Sequence, residues 1–340
     1  MPIKATTTRH ANPCKAHDQR WIGTISVLLA ASLWATTGIA ARVAYAVDVS
    51  PLLLTAARIN VTWAMLGGYL LVMSRPLLRV QVRDLPHLAL FGIIGIGLTQ
   101  FTYLFTMTQT DVGIAVLLQS LSPAFIYLYS LLRRAEPFRP AKLGVLLLAL
   151  LGGTIVAVGQ GGWGGAVSPL GLVTGLASAV CWAFYAIRAK PFLDRYSQWT
   201  LLFWGSGFAS IGWWIWLSPW QMGKALAAEP TFLVSVLYLA VFCTLIPSGL
   251  YLNGIRLLLP STAGILAASE PVVASTLAYV LLGETLTPLQ LAGGGLIVVA
   301  LIKLQSADVQ EVGARHAGGR GRRDWVVDRG SRGTPYQGGV

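Results

Sequence analysis

An all-α integral membrane fold, ten transmembrane helices in two inverted five-helix repeats, is predicted by three observations. The 340-residue chain is 55% hydrophobic and 11% charged, too apolar to hide its surface in one soluble core. Its apolar segments recur at about 18–25 residues, the length that crosses roughly 30 Å of hydrocarbon. Residues 21–156 also match residues 169–304 without a gap: Gly23 meets Gly171, Trp34 meets Trp182, Arg42 meets Lys190, Tyr103 meets Tyr251, Pro123 meets Pro271, Glu136 meets Glu284 and Pro140 meets Pro288. Five crossings per copy is an odd number, so the second copy starts on the opposite face. A pseudo-two-fold axis in the membrane plane then relates the copies.

The ten spans are expected at 21–43, 51–73, 86–108, 111–132, 140–160, 169–189, 198–218, 231–256, 261–282 and 287–304. They form a first repeat over 21–160 and a second over 169–304. The first span has a basic flank, but it is too long for the apolar region of a cleaved signal and it pairs with the sixth. The third carries Thr99, Gln100, Thr102, Tyr103, Thr106, Thr108 and Gln109, and the fourth Gln119, Ser120 and Ser122. The eighth holds Thr244, Ser248, Tyr251 and Asn253, and the ninth Ser269, Glu270, Ser275 and Thr276. These four are too polar to face lipid all round. The fifth and tenth are almost wholly Leu, Val, Ile, Ala and Gly, and read as packing or lipid-facing helices. Gly152-Gly153 and Gly293-Gly294-Gly295 there would let backbones approach closely. Trp199, Trp213, Trp214, Trp216 and Trp220 crowd the seventh span and its ends, where interfacial tryptophans gather.

The net charge of +12 is distributed by topology. With the amino terminus inside, 22 of the 25 Lys and Arg fall on the inner side, Arg42 and Lys224 fall outside, and Arg58 lies within the second span. This bias predicts cytoplasmic termini in a bacterial-type inner membrane. Residues 1–20 and 305–340 read as disordered tails, the second rich in Gly and Arg. That basic tail suits anionic lipid, at about 1 kcal/mol per basic residue, better than nucleic acid. Cys14, Cys181 and Cys243 are widely separated, which fits small buried hydrophobes and neither a disulfide framework nor a zinc site. Gly223-Lys224 lacks the flanking residues of a phosphate loop, and no soluble domain is left for ATP hydrolysis. No cofactor is expected. His10, His17, His87 and His316 lie in tails or at a span end, which argues against an intramembrane hydrolase or acyltransferase.

Pro123 and Pro271 sit near the middle of the fourth and ninth spans. Each removes an amide and frees the carbonyl four residues earlier, on Gln119 and Ala267. The alternative is a packed kink satisfied by a neighbour. Glu270 lies near the bilayer centre, where a carboxylate is tolerated when paired, protonated or facing water, so it is a candidate coupling site for a proton or cation. Its mirror position is Ser122. Arg58 is shallow enough to snorkel outward as an anchor; pointing inward, it would attract a carboxylate. Trp34 and Tyr103 fall on the outer side of the midplane, and Trp182 and Tyr251 on the inner side. That placement suggests two aromatic gates with flat faces for an apolar or aromatic solute, against the alternative of ordinary helix packing. Gln119, Ser122, Ser248 and Asn253 complete the solute-binding candidates. Glu136 and Glu284 are expected to hold tight turns before Pro140 and Pro288, with Thr287 capping the tenth helix.

The run Ala268-Ser269-Glu270-Pro271-Val272-Val273, with Leu282-Gly283-Glu284-Thr285-Leu286-Thr287-Pro288 and Gly293-Gly294, resembles the ninth and tenth helices of the drug/metabolite transporter superfamily. Trp34, Ser50-Pro51 and Arg58 are similar to its EamA group, and the likeness spans residues 21–304. It implies a ten-helix basket with a central cavity that exports amino acids, nucleobases, other metabolites or drugs. The aromatic candidates point within it to the amino-acid exporters called YddG. The expected partners are a small-molecule solute, the lipid bilayer and a proton as coupling ion, in a chain competent as a monomer. The alternatives are an exporter of drugs, nucleobases or other metabolites, a lipid scramblase and a receptor-like scaffold. Ser122 in place of a second carboxylate departs from symmetric coupling.

Overall fold

A computed structural model of the chain describes residues 13–110, 112–159, 168–282 and 287–304. Most of both tails, Glu284 and the side chains of Cys14 and Ser275 lie outside the described residues. Within them the fold is helical throughout, in ten rods.

The first span comprises Pro13–Trp34 and Thr37–Tyr45, so residues 13–20 are helix and not part of a disordered tail. The second is Pro51–Met73, opened by Pro51 at its first turn and by Ser50, whose hydroxyl accepts from the Leu53 amide at 3.2 Å. The third runs through Leu85–Leu90, a π-helical stretch Phe91–Leu98, and Thr99–Gln109. The fourth is Val112–Gln119 and Ser122–Leu132, and the fifth Pro140–Gly159. In the second repeat follow Pro169–Leu193, Gln198–Trp213, then Pro230–Ala240 with a π stretch Val241–Leu245 and Ile246–Leu257. The ninth is Pro260–Ala267 and Glu270–Leu282, and the tenth Pro288–Leu304. Six of the rods are long and apolar enough to cross a membrane by length and composition alone; the fifth and tenth are shorter apolar helices. A short helix, Pro219–Ala228, links the seventh and eighth.

The repeat governs backbone detail. The fourth helix breaks at residues 120–121 and the ninth at 268–269, mirror positions each two residues before a proline. Turn hydrogen bonds replace the helical ladder there, Leu121 N to Leu118 O at 3.2 Å and Ser269 N to Leu266 O at 3.1 Å. The expected kinks are therefore full interruptions, each starting a new half-helix. The two π stretches also occupy mirror positions. At the tenth helix Thr287 and Gln290 cap each other, Gln290 N to Thr287 Oγ1 at 3.2 Å and Thr287 N to Gln290 Oε1 at 2.7 Å, as the Thr-Pro sequence led us to expect.

The halves interlock. The first span packs on the eighth and its mirror, the sixth, packs on the third; the second meets the seventh and the fourth meets the ninth. In lipid such contacts depend on close approach of backbones and not on expulsion of water. A Cβ on Gly152 would lie 2.7 Å from Gly293 O, and one on Gly293 would lie 2.6 Å from Gly152 O. Gly153 and Gly295 face open space, so only one glycine of each run makes the contact. Trp216 and Trp220 are largely exposed, as belt residues would be, whereas the Trp214 indole donates to Asn60 Oδ1 at 2.8 Å.

Candidate functional site

Between the two helix breaks lies a cavity of about 60 Å³, lined from both repeats. At about 10–15 Å³ per water it holds a handful of waters. Its wall includes Trp34, Thr37, Arg58, Gln119, Trp182 and Glu270. Gln100, Tyr103, Ser122, Pro123 and Ala267 also face it. Of the solute-binding candidates, Trp34, Tyr103, Gln119, Ser122 and Trp182 are thus brought together, with both charged candidates, Arg58 and Glu270. Ser248 lines a smaller neighbouring cavity. Asn253 donates to Ser26 Oγ at 3.2 Å and is spent on joining the eighth span to the first. Tyr251 is 0% exposed and reaches neither cavity.

Arg58 points inward. It is 1% exposed, so the snorkelling reading does not hold. Its Nη2 donates to Cys243 O at 2.6 Å and its Nε to Thr244 Oγ1. The Cys243 carbonyl is available because the residue four further on is Pro247, which has no amide to give it. Nη1 is buried without a hydrogen-bond partner among the described residues, and so is the Thr37 hydroxyl. Glu270 is the first residue of its half-helix, where amides and the helix dipole favour negative charge. Its carboxylate has neither a hydrogen bond nor an ion pair among the described residues. The Gln119 amide is held in place by a 2.8 Å bond to Ser178 Oγ.

Of the two expected aromatic pairs, Trp182 with Tyr251 forms, and Trp34 joins it instead of meeting Tyr103. Trp34 meets Trp182 edge-on at 5.0 Å between ring centroids and Tyr251 at 5.3 Å. Trp182 stacks on Tyr251 at 5.1 Å and on Tyr185 at 5.0 Å, and Tyr185 stacks on Phe91 at 4.9 Å. Tyr103 packs instead with Leu104, Met107, Phe232 and Cys243. The two gate pairs differ because Trp34 has crossed to the ring of the eighth span, which packs on its own helix.

Loops 2–3, 4–5, 6–7 and 8–9 share one end of the bundle, called here the Asp84 end, and polar ties cross it. Lys142 and Glu136, both 8% exposed, form an ion pair, and each bonds Ser261 of the second repeat, at 2.7 and 2.6 Å. Glu136 therefore joins the two halves and does more than hold its own turn. Lys190 donates to the carbonyls of Ile255, Arg256 and Leu258 at 2.8, 2.8 and 3.0 Å, closing the C-terminal end of the eighth helix. Asp84 accepts from Tyr196 at 2.7 Å and from Arg195 at 3.1 Å. The opposite end does not match: Arg42, at the mirror position of Lys190, is exposed and makes no such bond among the described residues.

Thr37, Lys142, Tyr185 and Ser261 were not singled out by sequence, and Lys190 only as the repeat partner of Arg42. Pro247 four residues beyond Cys243 was a readable signal for an open carbonyl. The others depend on contacts between repeats that no local pattern records.

A polar cavity midway along two interlocked inverted repeats defines a multi-pass membrane transporter, not an enzyme. The chain belongs to the EamA-like transporter family, which matches residues 21–158 and 169–304 and so covers each repeat once. It is 28% identical to an inner membrane transporter, YicL, of Salmonella typhimurium, over 84% of this chain and 96% of the relative. The threonine/homoserine exporter RhtA of Escherichia coli K12 is 29% identical over 61% of this chain and 67% of its own. A terminal-alkyne amino-acid exporter of Streptantibioticus cattleyicolor is 28% identical over 66% and 74%. One crystal structure shares the fold, with a TM-score of 0.67 at 23% identity over 83% of this chain and 95% of that one.

Proposed function

We propose that this protein exports amino acids across the inner membrane as a secondary transporter, by alternating access between its inverted halves. One observation carries the reading: a cavity built from both repeats at the level of both helix breaks, with charged ties between the repeats at the Asp84 end. In this reading the aromatic cluster and the polar ties close the Asp84 end. On the charge bias that end is cytoplasmic, so the conformation is shut toward the cytoplasm. Two of the relatives are named exporters of amino acids, which supports the solute class.

Glu270 is the coupling group in this reading. Arg58 and Tyr103 are the other ionisable side chains lining its cavity among the described residues. A single chain supplies the whole pathway.

Purified protein in liposomes decides it. Saturable flux of threonine or phenylalanine, responsive to an imposed pH gradient and unresponsive in Glu270→Gln, is the expected result. Flux of uracil or dyes without amino-acid flux would make it an exporter of nucleobases or drugs. Lipid flip without solute flux would make it a scramblase.

A further inference from the structure

The cavity is lined by two side chains able to carry opposite charge, and neither has an ionic partner among the described residues. Arg58 spends Nε and Nη2 on neutral acceptors, and its Nη1 has no acceptor among the described residues. Glu270 faces the same cavity with its carboxylate unengaged among the described residues. Tyr103 lines the same cavity. Unpaired ions at membrane depth are costly, and a guanidinium with spare donors is suited to a carboxylate above other acceptors. The Thr37 hydroxyl is a third buried group left without a partner.

One solute could satisfy all of these while adding no net charge to the bilayer interior. We propose that the cavity recognises its solute as a complete zwitterion, the α-carboxylate on Nη1 of Arg58 and the α-ammonium on Glu270. The solute's side chain then lies among Thr37, Gln100 and Ser122, which favours a small hydroxylated group. Aromatic solutes find fewer free faces, because Trp182 is already stacked against Tyr185 and Tyr251 and Trp34 packs edge-on to it. This rests on the amino-acid reading above and specifies how that site reads its ligand.

The test is competition against labelled threonine flux in liposomes containing the native protein. Threoninol lacks the carboxylate, and the α-hydroxy analogue of threonine lacks the ammonium; neither is larger than threonine. Each should compete about tenfold or more weakly than threonine, the loss expected for one charged hydrogen-bond partner. Glu270→Gln should narrow the gap between threonine and the α-hydroxy analogue, and Arg58→Lys should raise the half-saturating concentration with the fold retained, judged by thermal melting. Threoninol or the α-hydroxy analogue competing as well as threonine would overturn the zwitterion site and leave amino-acid export standing. Absence of amino-acid flux would overturn both. The competition arm uses unaltered protein, so a variant that fails to fold does not affect it.

Discussion

Residues 120–121 in the first repeat and 268–269 in the second interrupt their helices at the same register, yet the next residue is Ser122 in one and Glu270 in the other. The same contrast recurs at the ends. Lys190 closes three carbonyls of the eighth helix while Arg42, its mirror, is exposed. Lys142 pairs with Glu136 across to Ser261, while its mirror Gln290 caps its own helix at Thr287. Backbone geometry obeys the repeat and polar chemistry does not. The Asp84 end carries charged ties between the repeats, whereas the described bonds toward the opposite end, Thr106 to Thr174, Trp214 to Asn60 and Tyr238 to Thr36, join neutral groups.

The comparison breaks most sharply at the ionic tie. Lys142→Ala strands a buried Glu136 and should cost about 3–5 kcal/mol, whereas the double change Glu136→Gln with Lys142→Met should recover most of it. Denaturant or thermal unfolding in detergent reads both. If Lys142→Ala costs no more than Gln290→Ala, about 1 kcal/mol for a lost cap, the contrast between mirror positions fails.

Lys190→Ala should weaken closure of the Asp84 end by about 2 kcal/mol, from charged hydrogen bonds discounted for partial exposure. Arg42→Ala should stay within about 0.5 kcal/mol. Spin-label distances across the Asp84 end should broaden for the first and not for the second; equal broadening would remove the asymmetry.

The glycine contact gives the smallest effect and the cleanest control. Gly152→Ala pushes a Cβ against Gly293 O and should destabilise by about 1–2 kcal/mol through overpacking. Gly153→Ala meets open space and should be neutral or slightly stabilising, since Ala is the better helix former. Melting temperatures that rank these two the other way would displace the contact.

Much of this was readable from the chain. The breaks followed from Pro123 and Pro271 because a missing amide acts locally, and the repeat carried each to its mirror. Glu270, Gln119 and Ser122 were found because polar groups at mid-span have few other uses in lipid. The direction of Arg58 was not readable, since an apolar helix has no clear wet face to orient it. Of the two aromatic pairs, Trp182 with Tyr251 was readable and Trp34 with Tyr103 was mispaired, for a related reason. Mirror positions state which residues are equivalent, but packing of the first span on the eighth decides which rings meet, so Trp34 joined Tyr251. Lys190 likewise acts on carbonyls that only assembly of both repeats brings near.

The seat of the first span against Ile246–Leu257 also sets a timetable for biogenesis. At roughly 5–20 residues per second, the ribosome needs on the order of 10–40 s after making that span before its neighbour exists. During that interval Asn60, Arg58 and the polar third span sit in lipid or against an insertion chaperone without their final neighbours. Yield in cells should therefore depend on the insertion machinery at mid-synthesis more than on the strength of either repeat alone.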